Sequence, residues 1–84
     1  MTFSERFRVK PGAKVRLASI RTDATPGVRD EAEADELLEE NRRALEHWQS
    51  VLWAEDRRSL LIVLQGMDGS GKDGTIRAVM RGVN

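Results

Sequence analysis

An α/β fold, a parallel sheet flanked by helices, is predicted by three features of these 84 residues. Residues 60–64 are continuously apolar, Leu-Leu-Ile-Val-Leu, and bounded by polar residues, as a strand buried on both faces would be. A glycine-rich stretch with one lysine follows at 66–72. Behind it Ile76, Val79, Met80 and Val83 recur at helical spacing, and Gly82 suits a helix stop. Strand, glycine loop and helix, in that order, make one βα unit of such a sheet.

Taken from the start, residues 1–29 read as an extended basic arm. They hold both prolines, Pro11 and Pro26, and end in the turn Thr-Pro-Gly at 25–27. Alternation at Val15 and Leu17 would support an isolated edge strand at most. Residues 30–56 read as an acidic amphipathic helix. Ala34, Leu38, Asn41, Leu45, Trp48 and Leu52 fall on one stripe, with Asn41 filling the apolar gap. Asp30, Glu31 and Glu33 crowd the end that the helix dipole makes favourable to acids, and Glu39 stands four residues before Arg43. Trp48 and Trp53 are expected to anchor packing. Residues 57–84 read as a first strand, a glycine-rich loop and a first helix.

Charge is balanced overall, 14 basic against 14 acidic side chains, and unevenly placed. The arm carries seven basic and two acidic residues, the helix two and ten, the last segment five and two. A charge block usually makes a solvated face, and the arm's cations are also of the type that holds a polyanion. No cysteine is present, which excludes disulfides, thiolate metal sites and thiol nucleophiles. One histidine, His47, makes no zinc site by itself. No apolar run approaches the roughly 20 residues of a membrane span, and the first ten residues lack the apolar core of a signal peptide. A soluble, cytoplasmic protein without a membrane or nucleic-acid partner is expected.

Gly66-x-x-x-x-Gly71-Lys72 is the phosphate-binding loop pattern. Phosphate oxygens require several backbone N–H groups converging on one point, and a loop free of obstructing side chains supplies them. Gly66 allows the strand end to turn, Gly71 allows close approach, and the helix starting near Lys72 adds unpaired N–H groups and its positive dipole end. Lys72 contributes a mobile charge that follows a transferring phosphoryl group. The bare pattern arises by chance in roughly 2% of chains this long, and the flanking strand and helix lower that about tenfold. The usual Ser or Thr after the lysine, which binds magnesium, is replaced by Asp73, and the next hydroxyl is Thr75. A second carboxylate, Asp68, lies inside the loop. Two acids beside phosphates point to a bridging cation, Mg2+, although Asp73 also suits a helix start turned to solvent.

The stretch LLIVLQGMDGSGKDGTIRAVMRGVN at 60–84 resembles the phosphate-binding segment of the polyphosphate kinase 2 family, whose loop also carries Asp after the lysine. The arm's FRV…PGAKVRL and the acidic helix with the AEDRRSLL that follows its stripe are similar to that family's N-terminal region. The resemblance implies a P-loop kinase fold, of which this chain would be the N-terminal portion, inactive by itself. It also implies phosphoryl transfer between inorganic polyphosphate and a nucleotide (ADP/ATP, with AMP or GDP as further candidates), with Mg2+, in a homo-oligomer. Asp68 and Lys72 would be catalytic, Asp68 the magnesium ligand. Gly66, Met67, Asp68, Gly69, Ser70, Gly71, Lys72, Asp73, Gly74 and Thr75 would bind phosphate and nucleotide. A second aspartate motif and lid arginines that complete the family's site are absent from this sequence. Two other readings stay open: a P-loop kinase of another nucleotide or metabolite, against which Asp73 argues, and a non-enzymatic nucleotide- or polyanion-binding module.

Overall fold

Thr2 opens the first helix. In the computed structural model, which describes residues 1–84, its hydroxyl accepts the N–H of Glu5 at 3.2 Å. The Glu5 carboxylate in turn accepts the Thr2 N–H at 2.8 Å and its O–H at 3.0 Å. This capping box satisfies two otherwise unpaired groups and starts α1, Phe3–Phe7. The arm is therefore not simply extended, and the predicted alternation at Val15 and Leu17 makes no strand. Leu17–Ser19 is a 3-10 turn instead, tied by the Ser19 hydroxyl donating to the Arg16 carbonyl at 2.7 Å. Without a neighbouring strand, local hydrogen bonds win.

The Thr25–Val28 turn forms as the sequence predicts: the Val28 N–H donates to the Thr25 carbonyl, with Pro26 then Gly27 at φ 84°. Gly27 is needed for a second reason. A Cβ at that position would stand 2.8 Å from the Phe3 ring, so α1 folds back onto the turn that leads into the long helix. Phe7 stacks beside Phe3, ring centroids 6.4 Å apart.

That long helix, α2, runs Glu31–Glu55, about 37 Å at 1.5 Å per residue, most of the molecule's longest dimension of 43 Å. Asp30 caps it by accepting the Glu33 N–H at 2.9 Å, and Glu33 reaches back to the Arg29 N–H at 2.6 Å. It ends where Asp56 takes the left-handed conformation, φ 54° and ψ 35°, its N–H still donating to the Leu52 carbonyl. Short polar side chains tolerate that region better than most. Glu39 pairs with Arg43 at 3.6 Å as expected, and more closely with Arg42 at 2.9 Å.

The covered stripe of α2 differs from the predicted one. Ala34, Leu38, Leu45 and Leu52 are half-buried as expected, while Asn41 and Trp48 are exposed and Arg42 and Gln49 are covered in their place. Glu33 and Leu37 are covered as well, so the contact face widens to one side in the first half of the helix and toward Arg42 and Gln49 in the second. The reason is the neighbour. The chain end returns to that side of α2: Asn84 lies beside Gln49, Ser50 and Trp53, and a Cβ on Gly82 would sit 3.6 Å from Glu46 Oε2. Neither tryptophan anchors a core. Trp48 is 64% exposed, its indole edge-on to His47, and Trp53 is 80% exposed.

The third helix, α3, spans Lys72–Met80. The apolar run before it lies alongside, so that Ile62 and Leu64 face Thr75, Ile76, Val79 and Met80 across a groove of about 350 Å³. The order apolar run, loop, helix is thus as predicted, but the parallel sheet is not formed. Residues 58–67 carry no strand ladder, because a ladder needs a second strand and no other segment of the chain is one. No residue is fully buried, and Leu61 is 86% exposed. No helix is long and apolar enough to cross a membrane.

The capping box of α1 has a pH signature. Hydrogen bonds from the Thr2 N–H, then from its hydroxyl, hold the Glu5 carboxyl below its ordinary range. Their contribution is therefore complete above that range and lost as pH falls through the lowered value. An NMR titration of the Glu5 side chain should show a midpoint below that of a short unstructured peptide. Thr2→Ala should move it part of the way back, since the backbone N–H remains. A parent midpoint equal to the peptide's would mean that the box does not form in solution.

Candidate phosphate-binding site

The loop from Gly66 to Lys72 turns on three glycines, each for its own reason. Gly66 has no room for a side chain. A Cβ there would collide with the Ser70 hydroxyl, and would lie 3.1 Å from Ser70 Cβ and 3.9 Å from Lys72 Cδ. The end of the apolar run is thus pressed against the far side of its own loop. Between these contacts a tight turn closes, with the Ser70 N–H donating to the Met67 carbonyl at 3.0 Å and Gly69 at φ 75°. Gly71, at φ 93° and ψ 7°, is the N-cap of α3, and open space surrounds it. Both conformations strain any residue with a Cβ.

This backbone leaves its donors unpaired. Among residues 66–74 only the Ser70 N–H is engaged by the protein. The first intrahelical bond of α3 is made by Thr75, whose N–H donates to the Gly71 carbonyl at 2.9 Å. Lys72, Asp73 and Gly74 therefore present the free N–H groups of a helix start, and no side chain caps them. Gly69 and Gly71 add two more from the loop. The positive end of the α3 dipole lies at the same place.

The side chains divide around this donor row. Lys72 alone among residues 66–75 is half-buried, its stem folded back toward Gly66, and its ammonium makes no ion pair. Asp68 sits at the tip of the turn and Asp73 on the first turn of α3, both exposed and both without an ion pair or hydrogen bond. Met67 is exposed at the rim. The Thr75 hydroxyl donates back to the Gly71 carbonyl at 2.9 Å, an i to i−4 back-bond that sequence reasoning did not assign. The threonine three positions after the lysine was its only signal.

No group of three or more His, Asp or Glu side chains converges into a protein-built metal cage. The donor set nevertheless fits Mg2+, which keeps several waters and is held by one or two carboxylates together with substrate phosphates. Asp68, just before the donor row, and Asp73, within it, are two such carboxylates.

Comparison with known proteins matches this arrangement to a family. The model of the family described as Polyphosphate kinase 2 matches residues 28–84, the whole of α2, the loop and α3. An ADP-polyphosphate phosphotransferase of Rhodopseudomonas palustris is 37% identical over 81 residues, covering 96% of this chain and 28% of the relative. An AMP/ADP-polyphosphate phosphotransferase of Meiothermus ruber is 41% identical over 81 residues, covering 95% of this chain and 30% of the relative. The chain thus spans less than a third of the length of these relatives. No solved structure matches. A loop that presents free amides around Lys72, with Asp in the place of the usual hydroxyl residue, and a family match over two thirds of the sequence agree: the chain belongs to the polyphosphate kinase 2 family.

Proposed function

We propose that this chain supplies the phosphate-binding loop of a polyphosphate:nucleotide phosphotransferase. The reaction would move a phosphoryl group between inorganic polyphosphate and a nucleoside mono- or diphosphate. The observation that carries this reading is the row of unpaired N–H groups at Gly69, Gly71, Lys72, Asp73 and Gly74, with the half-buried Lys72 side chain rooted in it. Such donors are free of internal partners before a phosphate arrives, so no protein hydrogen bond need break when charge builds on the equatorial oxygens. A bond forms between an acceptor phosphate oxygen and the terminal phosphorus, while the bond to the bridging oxygen of the chain breaks. The acceptor oxygen is already anionic, and the step needs no general base.

Each residue then has a definable task. The loop amides orient the phosphates and Lys72 moves with the transferring group. Asp68 and Asp73 would hold Mg2+, which supplies charge neutralisation to the phosphate oxygens when bound. Asp73 also favours this reading over a P-loop kinase of another metabolite, since those usually keep a hydroxyl residue there.

The test uses a full-length relative, the Meiothermus ruber phosphotransferase, carrying residues 1–84 of this chain in place of its own matching segment. Lys72→Ala should lower kcat by on the order of 10³-fold. Lys72→Arg should not restore it, because a planar guanidinium is broader than an ammonium. Either variant within tenfold of the parent chimera removes Lys72 from the mechanism.

The two acids should separate in the same chimera. Asp68→Asn, at the tip of the turn, is expected to abolish transfer, since an amide is a poor magnesium ligand. Asp73→Asn is expected to cost about 10-fold, equal to about 1.4 kcal/mol of transition-state stabilisation. Steady-state transfer across a magnesium titration reads both. A dead Asp73→Asn beside an active Asp68→Asn would reverse the two roles.

A further inference from the structure

The arm carries charge that neither the fold nor the loop uses. Arg6, Arg8, Lys10, Lys14 and Arg16 place five cations within eleven residues, and all are exposed. None makes an ion pair or a side-chain hydrogen bond. The ion pairs of the molecule join Arg21 to Asp23, Arg29 to Asp30, Glu39 to Arg42 and Arg43, and Glu55 to Arg58. This matters because α2 offers a dense set of acids nearby in sequence. If the arm's cations served only to neutralise α2, pairs would bridge residues 1–20 to 31–55, and there are none. The one acid among the cations, Glu5, is turned to the N–H and hydroxyl of Thr2.

The arm's shape favours a thread-like ligand. Docking of Phe3 on Gly27 and the turn at Lys10–Ala13 fix its course at two points. Arg8 and Lys10 border one groove, beside Met1 and Glu5, and Arg16 borders a second with Leu17 and Ser19. A row of point charges without aromatic partners reads phosphate and not bases, since single-stranded nucleic acid is normally held by stacking as well. The aromatic residues of the arm, Phe3 and Phe7, are stacked on each other. The family match begins at residue 28 and leaves the arm outside it, whereas the similarity to both polyphosphate phosphotransferases extends over at least 95% of the chain and so through the arm.

We propose that the basic arm is a second binding surface for inorganic polyphosphate, holding the part of the chain that lies beyond the phosphates in the loop. This rests on the reading of polyphosphate as the substrate. The loop would grip the reacting end by directed hydrogen bonds, and the arm would hold the remainder by screened, sequence-free attraction. Long chains would then bind more tightly than short ones, and chiefly at low salt.

The experiment measures binding to the 84-residue chain by calorimetry, with long-chain polyphosphate and with pyrophosphate, across a salt series. Replacing Arg8, Lys10, Lys14 and Arg16 by Gln removes four contacts, each worth about 0.7 in the slope of log affinity against log salt. The slope for long-chain polyphosphate should therefore fall by about 3, and its affinity at about 50 mM salt by at least tenfold. Pyrophosphate binding should be unchanged. Exchanging Arg for Lys and Lys for Arg at the same four positions should preserve long-chain binding, which separates lost charge from a disturbed arm. Equal long-chain affinity for the parent and the Gln variant overturns the proposal. So does tighter binding of single-stranded DNA of matched charge than of polyphosphate. Failure of the loop reading looks different: pyrophosphate would not bind the parent, while the salt-dependent difference between parent and Gln variant for long chains would remain.

Discussion

A backbone that offers several unpaired N–H groups to one anion must give up its own internal hydrogen bonds there, and the residues around it must make that tolerable. In this chain the backbone between Gly66 and Gly74 leaves every N–H but that of Ser70 without an internal partner. The Ser70 side chain stands where a Cβ on Gly66 would be, so the loop lies folded back on the end of the apolar run, and Gly69 and Gly71 adopt left-handed conformations. The start of α3 then falls where the loop ends. Exposed amides are solvated and cost little while water holds them. They become strong donors once an anion displaces that water. Lys72, drawn back along the same surface, adds the only full positive charge inside the loop.

The rest of the molecule is held by local interactions. With no fully buried residue, α2 depends on its Asp30 cap, its Glu39 pairs and its partial contact with the returning chain end. A cap contributes about 1 kcal/mol and a helix-face ion pair a few tenths. Against this, the five apolar side chains of 60–64 would each yield about 1.5–3 kcal/mol on full burial. The run is therefore the largest unrealised source of stability in the chain. Only its inner edge, Ile62 and Leu64, faces α3.

What the sequence discloses follows the range of the interaction. The order of apolar run, glycine loop and helix was legible because its signals are local: a cluster of glycines, a lysine at the helix start, an apolar run before it. Both ends of α2 were legible for the same reason, through Asp30 and the break after Glu55. The sheet was not, since a ladder depends on a second strand and not on the β-propensity of the first. The spread of the covered face of α2 to Arg42 and Gln49 was hidden as well. Amphipathicity fixes a face to within about one position, and the returning residues 82–84 decide the remainder. Arg42 shows the consequence, with its side chain only 19% exposed and its Nε unpartnered. Thr2 and Glu5 had the right spacing for a capping box, but a helix of one turn has no periodicity to point to it.

The proposed site depends on loop amides that stand free of internal partners in advance, and on Gly66 keeping them so. Amide NMR of the 84-residue chain during a pyrophosphate titration, with magnesium present, tests this most directly. Shifts should concentrate at Gly69, Gly71, Lys72, Asp73 and Gly74. In Gly66→Ala the same shifts should be lost while the α2 resonances stay in place. Undiminished binding by Gly66→Ala, or parent shifts confined to residues outside 66–75, would contradict the account.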